Sequence, residues 1–414
     1  MRITYIHQHF RRPDESGGTR SYEFARRLAR DGHAVTVISS GSIASSYDVA
    51  GFRVMQLPVR YDNTMSVPSR IGAFVLFMAR ATVTASRLPV DVVLATSTPL
   101  TVAIPGVIAA RIRRARFVLE VRDLWPAVPI AVGALTSRPA IWLARTLERF
   151  SYASADQIIA LSPGMADGVR SVDARVPVIM VPNASDIELF RRNEAERQEI
   201  RRELGWQPDE MVLVYAGSFG RTYGVGWAVR LAAELADPKI RIVLLGSGAT
   251  LGDDRVLATS LGLSAHAVRH TGALSKTETA RYVAGADVVL SCLTSEPALR
   301  SLSLNKVFDA LAAGRPVLFN HDGWLSDLLT ASGAGWVAPE SDLVAAAALV
   351  RTLRASPDRV RLAGAAAARL GSQQFDRDLL YADFANAVAH RSRPDADSSS
   401  PADRSSKIGR TDAA

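Results

Sequence analysis

The segment SLSLNKVFDALAAGRPV, residues 301–317, gathers groups able to bind a charged ligand that also carries hydroxyls. Only four of the 49 basic residues are lysines (Lys239, Lys276, Lys306 and Lys407), so Lys306 stands out in an arginine-rich chain. VFDALAA favours helix, Gly314 suits its C-terminal stop and Pro316 opens a strand, which puts Ser303, Leu304 and Asn305 in the first turn. Unpaired backbone N–H groups there, together with the positive end of the helix dipole, attract anions. Lys306 adds a full positive charge. Asp309, three residues on, shares its face and can accept hydrogen bonds from vicinal hydroxyls. Phosphate at one end and sugar hydroxyls at the other describe a nucleotide diphosphate. The same spacing also suits an N-capping serine followed by a surface Lys/Asp pair.

Other candidates sit in glycine loops. Gly217, Gly220 and Gly224 follow a strand end, with Ser218 and Arg221 among them, and Gly246 and Gly248 follow the next strand. Such loops let backbone approach phosphate oxygens. Gly17 and Gly18 open a helix beside Arg20, either closing over donor or acceptor or simply turning the chain. RDLWPAVP, 122–129, ends a strand with Arg122 and Asp123, which point into a ligand crevice or pair with each other. His7 and His9 alternate on one strand. Asp253 and Asp254 begin a helix, where capping explains them better than a metal does, and no metal or other cofactor is expected.

These residues need a scaffold, and the chain supplies one twice. Strand, glycine loop, helix and strand recur at 2–40 and at 211–248, the opening of a doubly wound parallel sheet. Further apolar runs follow at 91–97, 116–123, 157–162 and 176–183, then at 267–272, 287–292, 315–320 and 333–338. Near-continuous apolar strands indicate sheets covered on both faces. The expected fold is α/β, two Rossmann-like domains facing across a cleft. Residues 1–190 form an N-terminal domain and 191–372 a C-terminal one, with 191–209 as a charged linker carrying a short helix. A C-terminal helix at 373–390 and a disordered tail at 391–414 follow.

Charge is unevenly spread. Residues 1–190 hold 22 Arg against 15 acidic residues, net +7, whereas 191–414 are close to neutral at net +1. The first half therefore faces something anionic. Zinc-finger spacing, an aromatic RNA-binding strand and long basic runs are all missing, which argues against nucleic acid. The stretch IGAFVLFMARATVTAS, 71–86, is too short to span a bilayer and is interrupted by Arg80. With Arg70, Arg80 and Arg87 around Phe74, Leu76, Phe77 and Met78 it reads either as an interfacial amphipathic helix or as a buried helix with an arginine rim. The single cysteine, Cys292, and the lack of a leader-like start fit a reducing, cytoplasmic setting.

Together EVRDLWPA, YAGSFGRTYGV, HTGALSKTETARYVAGADVVL and LNKVFDALAAGRPV resemble bacterial family 4 glycosyltransferases of the GT-B fold, nearest the N-acetyl-L-fucosamine transferases of O-antigen and colanic acid assembly. The resemblance covers about residues 1–390. It implies a retaining, metal-independent transfer from a nucleotide-diphosphate sugar, usually UDP-linked, held by the C-terminal domain. On that pattern Lys306 contacts the diphosphate, Asp309 stands where a ribose-binding glutamate is common, and Gly17 and Gly18 match the N-terminal glycine loop. Asp123 lies on the acceptor side. Lys306, Arg221 and helix N–H groups stabilise the leaving diphosphate. Two departures follow from the same pattern: Ser301 replaces the first of two glutamates, and Ser218 and Tyr223 replace the usual Arg and Lys, leaving Arg221 or Arg300 as substitutes.

The expected enzyme extends a polyprenyl-diphosphate-linked or other cell-surface glycan precursor, peripheral on the inner face of an anionic membrane. A nucleotide-sugar epimerase or hydrolase of the same fold, and a degenerate transferase kept as a scaffold, are the alternatives. A glycosidase lacks its carboxylate pair.

Overall fold

Apolar runs become parallel strands in the computed structural model, which describes residues 1–15, 17–61 and 65–390. The first sheet comprises β1 (Arg2–Ile6), β2 (Ala34–Gly41), β3 (Ser45–Val49), β4 (Phe52–Pro58), β5 (Val92–Thr96), β6 (Arg116–Val121), β7 (Gln157–Ala160) and β8 (Val178–Met180), ordered 3-4-2-1-5-6-7-8. Only the β3–β4 pair is antiparallel. The second sheet comprises β9 (Met211–Ala216), β10 (Ile240–Leu245), β11 (Val268–Gly272), β12 (Val288–Ser291), β13 (Val317–Phe319) and β14 (Gly335–Val337), ordered 11-10-9-12-13-14 and wholly parallel. Central strands such as β5 and β10 are buried at every position, as expected where helices cover both faces.

The compact units do not divide at residue 190. One contains residues 1–10, 21–182 and the chain from Asp378; the other contains Arg11–Arg20 and Asn183–Arg377. Local bonds explain the second boundary: Asn183 Nδ2 donates to the Ser303 carbonyl at 2.6 Å, and Ser185 Oγ to the Phe308 carbonyl at 3.1 Å. The C-terminal helix, Arg377–Ala389, is anchored in the first unit. Phe384 stacks on Phe24 with ring centroids 4.2 Å apart, and Arg27 Nε reaches Asp378 at 2.6 Å. The tail at 391–414 lies outside the described residues.

The 191–209 segment carries the short helix expected of it, but it is packed within the second unit and does not link two units. Asn193 and Glu196 form a capping box that starts a helix, Glu194–Glu203. Arg197 and Arg201 on its inner face are buried and bind the two oxygens of Asp287 at 2.6 and 3.1 Å. Trp206 is buried directly after it.

In the first unit, the helix Val67–Arg87 is a packed domain helix. Ala73, Phe77, Ala81 and Ala85 enter the core, and the Arg80 guanidinium is bonded to the Pro58 carbonyl. β1 ends at Ile6, so His7 and His9 do not alternate on a strand; His7 is buried and the His9 ring lies tilted against that of Tyr61, centroids 4.4 Å apart. No helix among the described residues is long and apolar enough to cross a membrane.

Candidate functional site

The helix Asn305–Ala312 begins where the sequence places it, but Leu304, not Ser303, holds the N-cap position, and no side chain caps it. Ser303 is engaged elsewhere: its Oγ accepts from the Asn183 backbone N–H at 3.3 Å. Lys306 and Asp309 are both only 6% exposed, so they are not a surface pair. They do not pair with each other either. Lys276, at the start of the helix Lys276–Gly285, donates to both carboxylate oxygens of Asp309 at 2.7 Å each. Its ammonium also lies 4.9 Å from the centre of the Phe190 ring. Burial pushes the Asp309 carboxyl up, and Lys276 opposes that shift.

Lys306 has a different environment. Its ammonium sits 4.2 Å from the Tyr215 ring centre and 4.7 Å from that of Tyr223, and it has no hydrogen-bond acceptor among the described residues. Burial lowers this lysine to about 8, against a small opposing effect of Cys292. Two ring faces stabilise a cation but satisfy none of its N–H donors. A buried, charged donor without an acceptor is costly in itself and favours any anion that can reach it. Burial also pushes the neighbouring Cys292 thiol up to about 12, which makes it inert as a nucleophile.

The glycine loops divide by role. Gly217 lies directly beneath Lys306: a Cβ there would stand 3.1 Å from the ammonium nitrogen. Gly246 and Gly248 are needed by the protein's own backbone. At φ values of 138° and 150°, a Cβ on either would stand 1.8 Å from the Gly217 carbonyl oxygen or 2.3 Å from that of Phe219. Their missing side chains let the two loops interlock, through Gly217 N–H to the Leu245 carbonyl and Phe219 N–H to that of Ser247, both at 2.9 Å. Ser218 is exposed and its carbonyl accepts from the Tyr215 hydroxyl at 2.7 Å, fixing one of the rings under Lys306. Arg221 is exposed on the turn Arg221–Tyr223 and makes no side-chain hydrogen bond or ion pair among the described residues.

A small polar pocket in this unit is lined by Gly18, Arg20, Asn183, Lys276, Asn305 and Asp309, among others. Gly17 precedes it with φ at 127°, a conformation glycine alone adopts readily. Asp123 belongs to the first unit. It makes no ion pair with Arg122, and burial pushes its carboxyl up to about 6 despite that neighbour. Trp125 is half-buried against the first unit's core. Asp254 does not cap its helix: Thr250 holds that position and donates to Asp254 at 3.4 Å. No group of three His, Cys, Asp or Glu side chains among the described residues is arranged to hold a metal ion.

The sequence assigns no role to Lys276, Tyr215 or His321, and marks Tyr223 only as a departure from the family pattern. His321 Nε2 lies 3.0 Å from Ser291 Oγ, and its Nδ1 lies 3.0 Å from the Asp322 carbonyl, which requires a proton on Nδ1. Burial holds this imidazole down at about 4, with Lys306 adding to the effect. Lysine scarcity, the signal that singles out Lys306, applies equally to Lys276; nothing marks Tyr215, and Tyr223 stands out only by replacing a basic residue of the family pattern.

The profile of the glycosyl transferase 4-like domain matches residues 17–184, and that of glycosyl transferases group 1 matches residues 210–355. Over 235 residues the chain is 27% identical to the alpha-monoglucosyldiacylglycerol synthase of Streptococcus pneumoniae, covering 55% of this chain and 51% of that protein. Over 243 residues it is 26% identical to the probable glycosyltransferase WbjE of Pseudomonas aeruginosa, covering 57% and 59%. The chain thus spans little more than half the length of these curated relatives. Among solved structures it is similar to sucrose-phosphate synthase of Thermosynechococcus elongatus, with TM-score 0.76, 18% identity and coverage of 93% and 97%. It is also similar to HepE of Anabaena in complex with UDP-glucose, at 0.70, 18%, 94% and 99%. WaaG, a glycosyltransferase of lipopolysaccharide biosynthesis, matches at 0.71, 17%, 94% and 99%. The chain thus carries a glycosyl transferase 4-like domain followed by a glycosyl transferases group 1 domain, on the two-sheet GT-B fold that it shares with these glycosyltransferase structures.

Proposed function

We propose that this enzyme transfers a sugar with retention from a UDP-linked donor, an N-acetylated amino sugar being the first candidate, to a lipid-linked or cell-surface glycan precursor. The observation that carries the donor assignment is Lys306: a buried ammonium over two tyrosine rings, without an acceptor, at the first turn of a helix. A donor diphosphate would supply the missing acceptors. As the glycosidic bond breaks, negative charge grows on the leaving UDP, and a fixed cation with helix N–H groups stabilises that charge without reorganising. Arg221, exposed and uncommitted beside the same loop, is the second cation for this role. The carboxyl of Asp309 serves the ribose hydroxyls, provided that Lys276 shares or releases it. Asp123 serves the acceptor side, and the protein's own cations take the place of a metal. HepE, whose structures contain UDP and UDP-glucose, supports a uridine nucleotide. The names of the Streptococcus relative and of WaaG support a lipid or lipid-borne acceptor. The excess of arginine in residues 1–190 supports work at an anionic membrane on its cytoplasmic face.

A panel of nucleotide sugars screened for thermal stabilisation tests the donor, because ligand linkage reports binding without an acceptor. Calorimetry with UDP on the wild type and on Lys306→Ala then tests the site. Absence of UDP binding, or binding unchanged by the substitution, refutes the assignment. Transfer that persists with excess chelator is the expected result for the metal-free mechanism, and its loss on chelation contradicts it.

A further inference from the structure

Three helices of the first unit, Val67–Arg87, Ala103–Arg113 and Arg138–Ala153, lie side by side on one face of its sheet. Phe77, Val107 and Tyr152 share one core, Arg113 Nε donates to the Ser86 carbonyl at 2.7 Å, and the Arg111 guanidinium lies 5.9 Å from the Phe150 ring centre. Their outward faces are unusual in two respects. Large apolar side chains are exposed on all three: Ile71, Val75, Leu76 and Val83 on the first, Ile112 at 60% on the second, and Trp142 at 69%, Leu143 and Phe150 on the third. The charged residues of these helices and the Arg114 cap are nine arginines (70, 80, 87, 111, 113, 114, 138, 145 and 149) and one acid, Glu148, which is buried. These three helices therefore present apolar and cationic side chains and no exposed carboxylate of their own.

On the third helix, Arg138, Trp142, Arg145 and Arg149 fall on one stripe, while Leu143 and Phe150 fall beside it. Basic and apolar stripes meeting at a tryptophan describe a helix that lies in a membrane interface. The apolar residues are scattered between arginines and do not converge on a pocket, which suits a fluid layer better than a folded partner. We propose that this three-helix face docks on an anionic lipid bilayer, with Trp142, Leu143 and Ile112 entering the boundary between headgroups and chains and Arg138, Arg145 and Arg149 binding headgroup phosphates. This inference rests on the reading that transfer takes place at a membrane, and it corrects the residues expected to face lipid. In the Val67–Arg87 helix, Phe77 is buried and Phe74 and Met78 are half-buried, leaving Ile71, Val75, Leu76 and Val83 outside.

The test is flotation of the full chain with vesicles of phosphatidylcholine alone or mixed with phosphatidylglycerol, at low and high salt. The wild type is expected to bind the anionic vesicles and to be weakened by salt. R138Q/R145Q/R149Q is expected to lose binding by roughly 100-fold, because each arginine near the surface is worth about fivefold, and W142A/L143A to weaken it as well. R361Q/R369Q, two exposed arginines of the other unit, serves as the charge control and is expected to bind as the wild type does. Unchanged thermal melts and UDP binding establish that the variants are folded. If the wild type binds and the triple variant binds equally, or if the control loses as much, this surface is wrong while the membrane reading stands. If the wild type floats with no pure lipid vesicle, both fall, and association only with protein-bearing membranes points to a protein partner instead.

Discussion

Replacing Lys306 with methionine should make the protein more stable and weaken donor binding, an unusual combination for a buried residue. Burial lowers this lysine from 10.5 to about 8, which corresponds to about 3 kcal/mol of folding free energy lost at neutral pH. The two ring contacts, at 4.2 and 4.7 Å, return about 1 kcal/mol. Methionine keeps the length and the packing against Tyr215 and Tyr223 and avoids burying a charge, so a net gain of about 2 kcal/mol follows. For a unit of this size that is a rise of about 5 °C in Tm. The pH dependence gives the sign independently. Below pH 8 the lysine is charged in both folded and unfolded states and the penalty is present in full. Between pH 8 and 10.5 the folded protein loses the proton while the unfolded chain keeps it, so stability rises with pH across that window in the wild type but not in the variant. Donor binding runs the opposite way. It needs the charged form, so the affinity of the wild type for UDP should fall about fivefold from pH 8 to pH 9, whereas Lys306→Met should bind 10- to 100-fold more weakly at pH 7, as expected for a lost charge-assisted bond of about 1.5–3 kcal/mol. Thermal melts with and without UDP, repeated from pH 7 to pH 10, measure both effects. A variant that melts below the wild type and shifts with UDP as far as the wild type does would refute the reasoning.

Removing Lys276 should have the opposite effect on stability. Lys276→Ala leaves Asp309 buried without its cation, at a cost of about 3–5 kcal/mol, and Lys276→Met/Asp309→Leu should recover most of that in a denaturant titration. Gly246→Ala drives a Cβ into the Gly217 carbonyl and should melt far below the wild type, whereas Gly252→Ala, which meets nothing within 4 Å, should be neutral or stabilising by up to about 1 kcal/mol. Ending the chain at Arg377 removes Phe384 from Phe24 and Asp378 from Arg27; the truncated protein should lose stability in its first unit and yield early cleavage there under limited proteolysis.

What the sequence makes legible follows from how local each signal is. The parallel strands read clearly because burial on both faces writes them as unbroken apolar runs, such as VVLAT and IRIVLL. The β3–β4 hairpin does not, since its turn is Ala50–Gly51, with φ of 47° and 86°, where the recognisable signal is Asn-Gly or Asp-Gly. The 191–209 segment misleads for a related reason: its arginines look solvated until Asp287, 86 to 90 positions away, is folded against them. Lys306 could be found from its rarity and its place at a helix start. Its chemistry could not, because the groups that define it, Tyr215 and Tyr223, lie on another strand and loop.

The spacing of Lys306 and Asp309 suggested that the two would act as neighbours, and the fold separates them through a third residue. Had they paired, each would have neutralised the other and the helix start would carry no net charge. Instead Lys276 takes both oxygens of Asp309, leaving Lys306 opposed only by aromatic faces and a protonated thiol. Ring quadrupoles stabilise a cation without cancelling its charge, so the positive potential at this turn survives burial. Two of the chain's four lysines thus have complementary tasks, one to hold a carboxylate in place and the other to remain an unneutralised charge, as the proposed diphosphate site requires.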